Sequence, residues 1–469
     1  MDYKPTIGLE IHAELSTKTK MFCSCKNDTD EKSPNVNICP ICLGHPGTLP
    51  VINKEAVKHV LKVGIAVGGK LADGSEFDRK NYFYPDIPKG YQISQYKHPL
   101  VSGGELVGVK LTRIHLEEDT AKSSHAEGSE RSEGYSLVDF NRAGVPLLEL
   151  VTEPVMHSGE EVSMFGKELQ ILLQTLGVSD ANMEKGEMRL EANISVSHSD
   201  KLGTKVEVKN LNSFRSAERA AIYEIKRQIE SLEKGGTISQ ETRGWDEAKQ
   251  ATFSQRSKED SHDYRYFPDP DLPKLKLSEA MGFDEKFLRL HVKETPNEKR
   301  KRFKKDYGIK DGDINFYVQN VELGELFENA AKIIPEKKDL QLLSNYIVSD
   351  IMSLGAAVYK IKPESIASVV KMIISGELSS RGAKNIIEIL ADEGGDPKII
   401  AKNKGFIQKN DELELDLIVK NVVTQNQQAV GEYKAGKLSA LQFLVGQGMK
   451  ATGGSANPNV LKELILKII

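Results

Sequence analysis

All four cysteines of this 469-residue chain stand in two close pairs, Cys23-Ser-Cys25 and Cys39-Pro-Ile-Cys42, with thirteen residues between them. A zinc ion takes four thiolates converging tetrahedrally, and two short pairs on facing turns supply that set. Disulfides and unrelated core cysteines are the other readings. A reducing compartment disfavours the first, and chance does not gather every cysteine of a long chain in one place. Four thiolates leave no coordination position open, so a zinc held by Cys23, Cys25, Cys39 and Cys42 is expected to be structural rather than catalytic.

A second set of reactive side chains is spread over segments that alternate polar and apolar residues. Glu10-Ile-His12 places a carboxylate and an imidazole at i and i+2; on a strand both point to one face, while Leu9 and Ile11 point to the other. Ile114-His-Leu-Glu-Glu-Asp119 ends in three acids. In Arg189 to Ser195, Leu190, Ala192 and Ile194 claim a core, which turns Glu191 and Asn193 to the opposite side, and Lys205-Val-Glu207-Val-Lys209 repeats the device. Half-buried strands alternate in this way without any chemistry, so a single such acid reads as a solvated strand face. Taken together they suggest a cavity lined by carboxylates, a histidine and lysines. Oxygen-rich donors suit Mg²⁺, which keeps several waters and engages nucleotide phosphates.

These side chains need elements to position them. Up to about residue 290 the chain reads as short strands with Gly-, Asp-, Asn- and Pro-rich turns, interrupted by three helices. One carries Ala56, Val57, Val60, Leu61 and Ile65 and closes at Gly68-Gly69. The next opens with Ser158 and Glu161 at capping-box spacing and stops at Gly177. The third runs from about Ala217 to Gly235-Gly236. After Pro296 the periodicity is helical, with Pro363 at a first helical position and Gly394-Gly395 and Gly453-Gly454 as helix ends or hinges. The expected fold class is α+β: a strand-rich cradle domain over residues 1–292, a helical domain over 293–405 and a small helical tail over 406–469.

Composition sets outer bounds. With 39% hydrophobic and 28% charged residues and a net charge of −4, the chain does not read as a protein that coats nucleic acid indiscriminately. A local basic run, Lys299 to Lys305, reads as a solvated helix face. No apolar stretch approaches bilayer-spanning length, and Met1 to Glu10 show no secretory pattern, so a cytoplasmic protein without membrane attachment is expected. The nearest string to a phosphate-binding P-loop, Gly431 to Leu438, has Leu where the metal-binding Ser or Thr belongs and lacks a preceding strand.

Several longer motifs, in order along the chain, resemble the GatB family of the GatCAB amidotransferases. They are Ile7 to His12 (IGLEIH), Asp78 to Gln95 (DRKNYFYPDIPKGYQISQ), Val138 to Val151 (VDFNRAGVPLLELV), Val208 to Arg215 (VKNLNSFR), Glu241-Thr-Arg243, Asp263 to Pro273 (DYRYFPDPDLP) and the tail from Leu438 to Pro458. The paired cysteines are similar to the zinc-bearing branch of that family. The resemblance implies a ligase partnered by GatA and GatC. It also implies the reaction: ATP would phosphorylate the side-chain carboxylate of a glutamate or aspartate misacylated onto tRNA, and ammonia from the GatA glutaminase would then displace the phosphate.

By the same resemblance Glu10, His12, Glu118, Glu191 and Glu207 fall at the family's Mg²⁺ and active-site positions, with Glu118 preferred to Glu117 as the second acid of its pair. Lys209 joins the catalytic set, and Arg79 and Lys80 stand as partners of the ATP phosphates. The tail is expected to recognise tRNA. Two positions depart from the family pattern: Glu191 stands where Asp is usual, which lengthens that arm by one methylene, and Ser455 stands where Lys or Gln is common. From the residues alone, a tRNA-presenting module with structural zinc and acids, or a metal-dependent nuclease, remain alternatives to an ATP-consuming enzyme component. The density of motifs around the strand carboxylates favours the enzyme.

Overall fold

The computed structural model describes residues 3–125, 136–257, 264–408, 412–452 and 456–469. Gly453, Gly454, Ser455 and Asp263, all singled out in the sequence, lie outside these residues. The chain divides into two compact units, Met1–Pro296 and Asn297–Ile469. The α+β reading holds: strands dominate the first unit and helices the second.

The first unit is built on a ten-stranded sheet. Six of its strands supply residues to the cavity described below: β1 (Lys4–Glu14), β4 (Val109–Glu118), β5 (Pro146–Thr152), β6 (Met188–Ser197), β7 (Val206–Leu211) and β8 (Glu241–Asp246). A separate three-stranded sheet contains β2 (Asp78–Asn81) and β3 (Tyr91–Ser94), with Phe267–Pro268 on the far side of β2. In the large sheet these strands run in the order β8-β7-β6-β1-β5-β4, and β1, the first in the chain, sits in the middle. All the pairings among them are antiparallel except β7 with β8.

Register follows from hydrophobic parity. Leu9, Ile11 and Ala13 of β1, Ile114 and Leu116 of β4, Leu148 and Leu150 of β5, and Leu190, Ala192 and Ile194 of β6 are all at most 1% exposed and share one buried cluster. A one-residue slip of any strand would turn that set to the other face. Three helices complete the same cluster: α1 (Lys54–Ala66), α2 (Gly159–Leu176) and α3 (Phe214–Glu233). Their ends follow local chemistry. Asn53 caps α1, Ser158 and Glu161 form a reciprocal capping box on α2, and Gly177 ends α2 at φ 65°, a left-handed conformation that a Cβ would disfavour. With the apolar face covered by helices, the polar parity of β1, β4, β5, β6 and β7 is left to form a site.

The second unit is helical, and its buried side chains form two separate clusters, one between Phe303 and Ala401 and one between Leu415 and Ile465. Pro363 occupies the first turn of the helix Pro363–Ile374, where its missing N–H costs nothing. The basic run from Lys299 lies on the helix Pro296–Asp306, which buries Phe303 completely. Among the described residues no helix is long and apolar enough to cross a membrane.

A carboxylate cavity on the polar face of the sheet

Strand pairing brings together acids that are far apart in sequence. On β1, Glu10 lies opposite Glu191 of β6, and His12 lies opposite Glu149 of β5. Glu149 in turn lies opposite His115 of β4, and Asn193 of β6 opposite Glu207 of β7. The result is two groups of donors on one face. Ligand atoms of His12, Glu117 and Glu149 lie within 4.8 Å of one another, and so do those of Glu10, Glu191 and Glu207. Both groups line one cavity of about 500 Å³, together with Lys80, Arg189 and Lys209.

In the first group His12 Nε2 stands 3.4 Å from both Glu117 and Glu149, and His115 Nε2 reaches Glu149 at 3.3 Å. Burial disfavours the charged imidazolium of His12. The hydrogen bonds and charges of the two carboxylates outweigh it and push the pKa up to about 10. Burial likewise opposes ionisation of Glu117 and Glu149, but His12 and Lys80 hold the first carboxyl, and His115 and His12 the second, below the usual range. Lys80, although its burial favours the neutral amine, is kept charged by Glu117 and Glu149. In the second group Lys209 Nζ lies 2.8 Å from Glu191 and 4.0 Å from Glu207, Asn193 Nδ2 donates to Glu10 at 2.8 Å, and Thr242 Oγ1 donates to Glu207 at 2.7 Å.

The donor chemistry fits divalent cations. Each group offers three ligands of carboxylate or imidazole type, and the amide oxygen of Asn193, beside Glu10, is a buried acceptor without a hydrogen-bond partner. A cation in the second group would give that oxygen a use. Such packing of acids without a compensating positive charge costs several kcal/mol per ion, and the positive charges that face them include the protonated ring of His12 and the side chains of Lys80, Arg113 and Lys209.

Two expected residues are elsewhere. Glu118 does not reach the cavity. It has the parity of Ile114 and Leu116, so its carboxylate leaves on the apolar side of β4, where Lys89 Nζ meets it at 2.5 Å and the Ile93 amide donates at 2.9 Å. There it lines a smaller cavity of about 200 Å³ with Cys23 and Cys42. Glu117, one residue earlier, takes the place expected of Glu118. Glu10 and His12, both expected at Mg²⁺ positions, fall in different groups. Arg79 is also turned away from the cavity, because alternation along β2 sets it opposite Lys80: its guanidinium pairs with Asp269 and Asp271, each at 2.8 Å, and lies over the Tyr91 ring.

Three participants are not among the site residues expected from the sequence: Glu149, Glu117, which was set behind Glu118, and His115. Glu149 is the single charge in the apolar strand Pro146–Thr152, and that isolation was a legible signal. Glu117 and His115 were legible by counting parity back from Leu116. Deeper in the same face, Arg189 pairs with buried Asp119 at 2.7 Å, and burial together with Asp119 pushes the carboxyl of Glu14 up to about 8.

The four cysteine sulfurs lie within 4.8 Å of one another, as a tetrahedral zinc site requires. Beside them Lys20 is completely buried, with its ammonium 3.9 Å from Cys42 Sγ and 3.1 Å from the Phe140 carbonyl. A buried ammonium needs a counter-charge. Four thiolates around a dication carry a net negative charge and supply one, so the surroundings fit a metal-bound set.

Comparison with known proteins extends these observations over the whole chain. Residues 5–282 match the family described as the GatB/GatE catalytic domain, and residues 325–469 match the GatB domain. A protein of Carboxydothermus hydrogenoformans, named as the B subunit of an aspartyl/glutamyl-tRNA(Asn/Gln) amidotransferase, is 42% identical over 99% of this chain and 98% of its own length. Proteins of the same name from Thermotoga maritima and Crocosphaera subtropica are each 43% identical over 100% of this chain and 99% and 98% of theirs.

Proposed function

The chain belongs to the GatB family, and from that premise we propose that it is the subunit in which a tRNA-borne glutamate or aspartate is amidated at the expense of ATP. It acts with partner subunits, as the naming of its relatives as one lettered component of an amidotransferase implies. The observation that carries the reading is the convergence of two three-donor groups with Lys80 and Lys209 in one cavity on the polar face of the sheet.

A carboxylate resists ammonia until one of its oxygens becomes a leaving group. In the proposed reaction the side-chain carboxylate of the misacylated residue attacks the γ-phosphorus of ATP, forming an acyl phosphate and ADP. Ammonia, supplied by a glutaminase partner of the GatA type within a complex that includes GatC, adds to the acyl carbon. Phosphate leaves with the C–O bond electrons, and the added nitrogen gives up a proton. His12, Glu117 and Glu149, and Glu10, Glu191 and Glu207, would hold Mg²⁺, which would supply charge neutralisation to the phosphates. Lys80 and Lys209 add fixed positive charge on the cavity wall, where a phosphoryl group in transfer gains most from it. His115, which reaches Glu149 at 3.3 Å, positions that carboxylate. The zinc module stands apart from this chemistry as a structural element.

The test is ADP formation by the reconstituted complex without any nitrogen source. ADP should appear when the tRNA carries glutamate or aspartate and not when it carries glutamine. ADP release that ignores the acyl group, or no ATP cleavage at all beside normal tRNA binding, would reduce the chain to a tRNA-presenting module.

A further inference from the structure

The same cavity is also lined by aromatic rings. Tyr82, Tyr96, Tyr264 and Tyr266 all line it. Tyr264 meets Tyr266 edge-on at 6.1 Å between centroids, and Lys80 Nζ lies 5.0 Å from the Tyr264 ring. Tyr266 and Tyr96 are stacked, 4.4 Å between centroids and 8° from parallel. Tyr96 is the outer member of this stack: it is 43% exposed, while Tyr266 is half-buried. It is also held in place, since its amide donates to the buried carboxylate of Asp78 at 2.9 Å. A fixed, parallel aromatic stack that ends on an open ring at the edge of a reaction cavity is a surface for one more flat ring.

We propose that the open face of Tyr96 stacks the terminal adenine base of the aminoacylated tRNA and so sets the acyl group over the acids. The inference rests on the amidation reading above and adds the residue that would position its RNA substrate. Reach supports it. From the ester to the side-chain carboxylate a glutamyl or aspartyl arm spans only about 5–7 Å, so a carboxylate among the donor groups brings the terminal nucleoside to rest within the same cavity or at its edge. The next residue, Lys97, is exposed and offers a cation where the preceding phosphate of a strand would run. Aromatic platforms flanked by cations are how single-stranded nucleic acid ends are held.

The experiment uses the full chain in the reconstituted complex. Stacking of one base on one ring changes affinity by roughly five- to a hundredfold. Tyr96→Ala should therefore raise KM for misacylated tRNA about tenfold with little change in KM for ATP. Tyr96→Phe and Tyr96→Trp, which keep a ring, should restore it, and Tyr96→Leu, which keeps bulk without a ring, should not. The second measurement is binding of an acceptor-stem RNA minihelix ending in adenosine against the same minihelix with an abasic terminal ribose. Wild type should prefer the first by about tenfold, and Tyr96→Ala should bind both alike. Equal discrimination in wild type and Tyr96→Ala overturns the proposal, as does a rise in KM for ATP in place of tRNA, which would give the platform to the nucleotide. A wild-type complex that does not amidate misacylated tRNA overturns the amidation reading instead, and is recognised before any variant is made.

Discussion

Glu117→Gln and Glu118→Gln make a paired experiment, because neighbouring acids on β4 point to opposite faces of the sheet. Glu117 lies 3.4 Å from His12 Nε2 within a three-donor group. A unit charge at that distance, through an effective dielectric of about 20, is worth about 5 kcal/mol in gross attraction. If only half of this acts selectively on the transition state, the loss is about 2.5 kcal/mol, close to a hundredfold in rate. The amide preserves size and hydrogen-bonding capacity, and Glu149, also 3.4 Å from His12, still offsets the imidazolium charge, so folding should survive with some loss of stability. Glu118→Gln does something else: it leaves the Lys89 ammonium, whose side chain is 13% exposed, without its carboxylate. Breaking a buried pair costs about 3–5 kcal/mol of stability, and the melting temperature should fall accordingly. Single-turnover ADP formation from misacylated tRNA, normalised to folded complex, separates the two. Turnover should drop about a hundredfold or more for Glu117→Gln and by much less for Glu118→Gln. The reverse pattern would refute the placement of the site.

Further outcomes follow from the same geometry. Protein purified without chelators should contain about one zinc per chain, and replacing Cys39 and Cys42 with Ser should lower thermal stability more than turnover per folded molecule. Lys20→Met should speed zinc loss to a chelator severalfold, because the thiolates lose their buried counter-charge. Cation binding at His12 should release a proton. With its pKa at about 10 the free site is protonated at neutral pH, so affinity for Mg²⁺ or Mn²⁺ should rise with pH up to about 10, and calorimetry in buffers of different ionisation enthalpy should report the proton. In the absence of metal the raised pKa also stabilises the fold, fully below about pH 6.5 and decreasingly as pH climbs through 10. Deleting residues 406–469 should raise KM for tRNA while glutamine hydrolysis by the glutaminase partner persists; unchanged tRNA kinetics would assign the tail to assembly or stability.

What could be read from the sequence was mostly local. The capping box at Ser158 and Glu161, the αL glycine at 177 and the proline opening the helix at 363 each depend on a few adjacent residues, and each is found where its chemistry requires. The cysteine pairs were legible because their spacing carries their geometry. Alternation also gave the correct faces for Glu10, His12, Glu191 and Glu207, which all line the cavity. It would have given Glu117 as well, since Ile114 and Leu116 commit the even positions of β4 to the core, and it would have separated Arg79 from Lys80. In both places motif resemblance and parity point to different residues. Glu149 is a different case. Its importance comes from lying between His12 and His115 on the neighbouring strands, and its pairing with His12 joins segments more than a hundred residues apart. Such non-local register is fixed by the shared core under the sheet, and no single strand announces it. For the same reason the division of the acids into two groups of three appears only in the folded chain.

The central claim is that the tRNA-borne carboxylate is phosphorylated before it is amidated, and oxygen tracing tests it directly. Glutamyl-tRNA carrying ¹⁸O in both side-chain carboxylate oxygens is offered to the complex with ATP and glutamine, and the released phosphate is examined by mass spectrometry. An acyl phosphate requires that one labelled oxygen leave with each phosphate while the other remains in the product amide. Phosphate free of label, with the ¹⁸O found in water, would contradict the account.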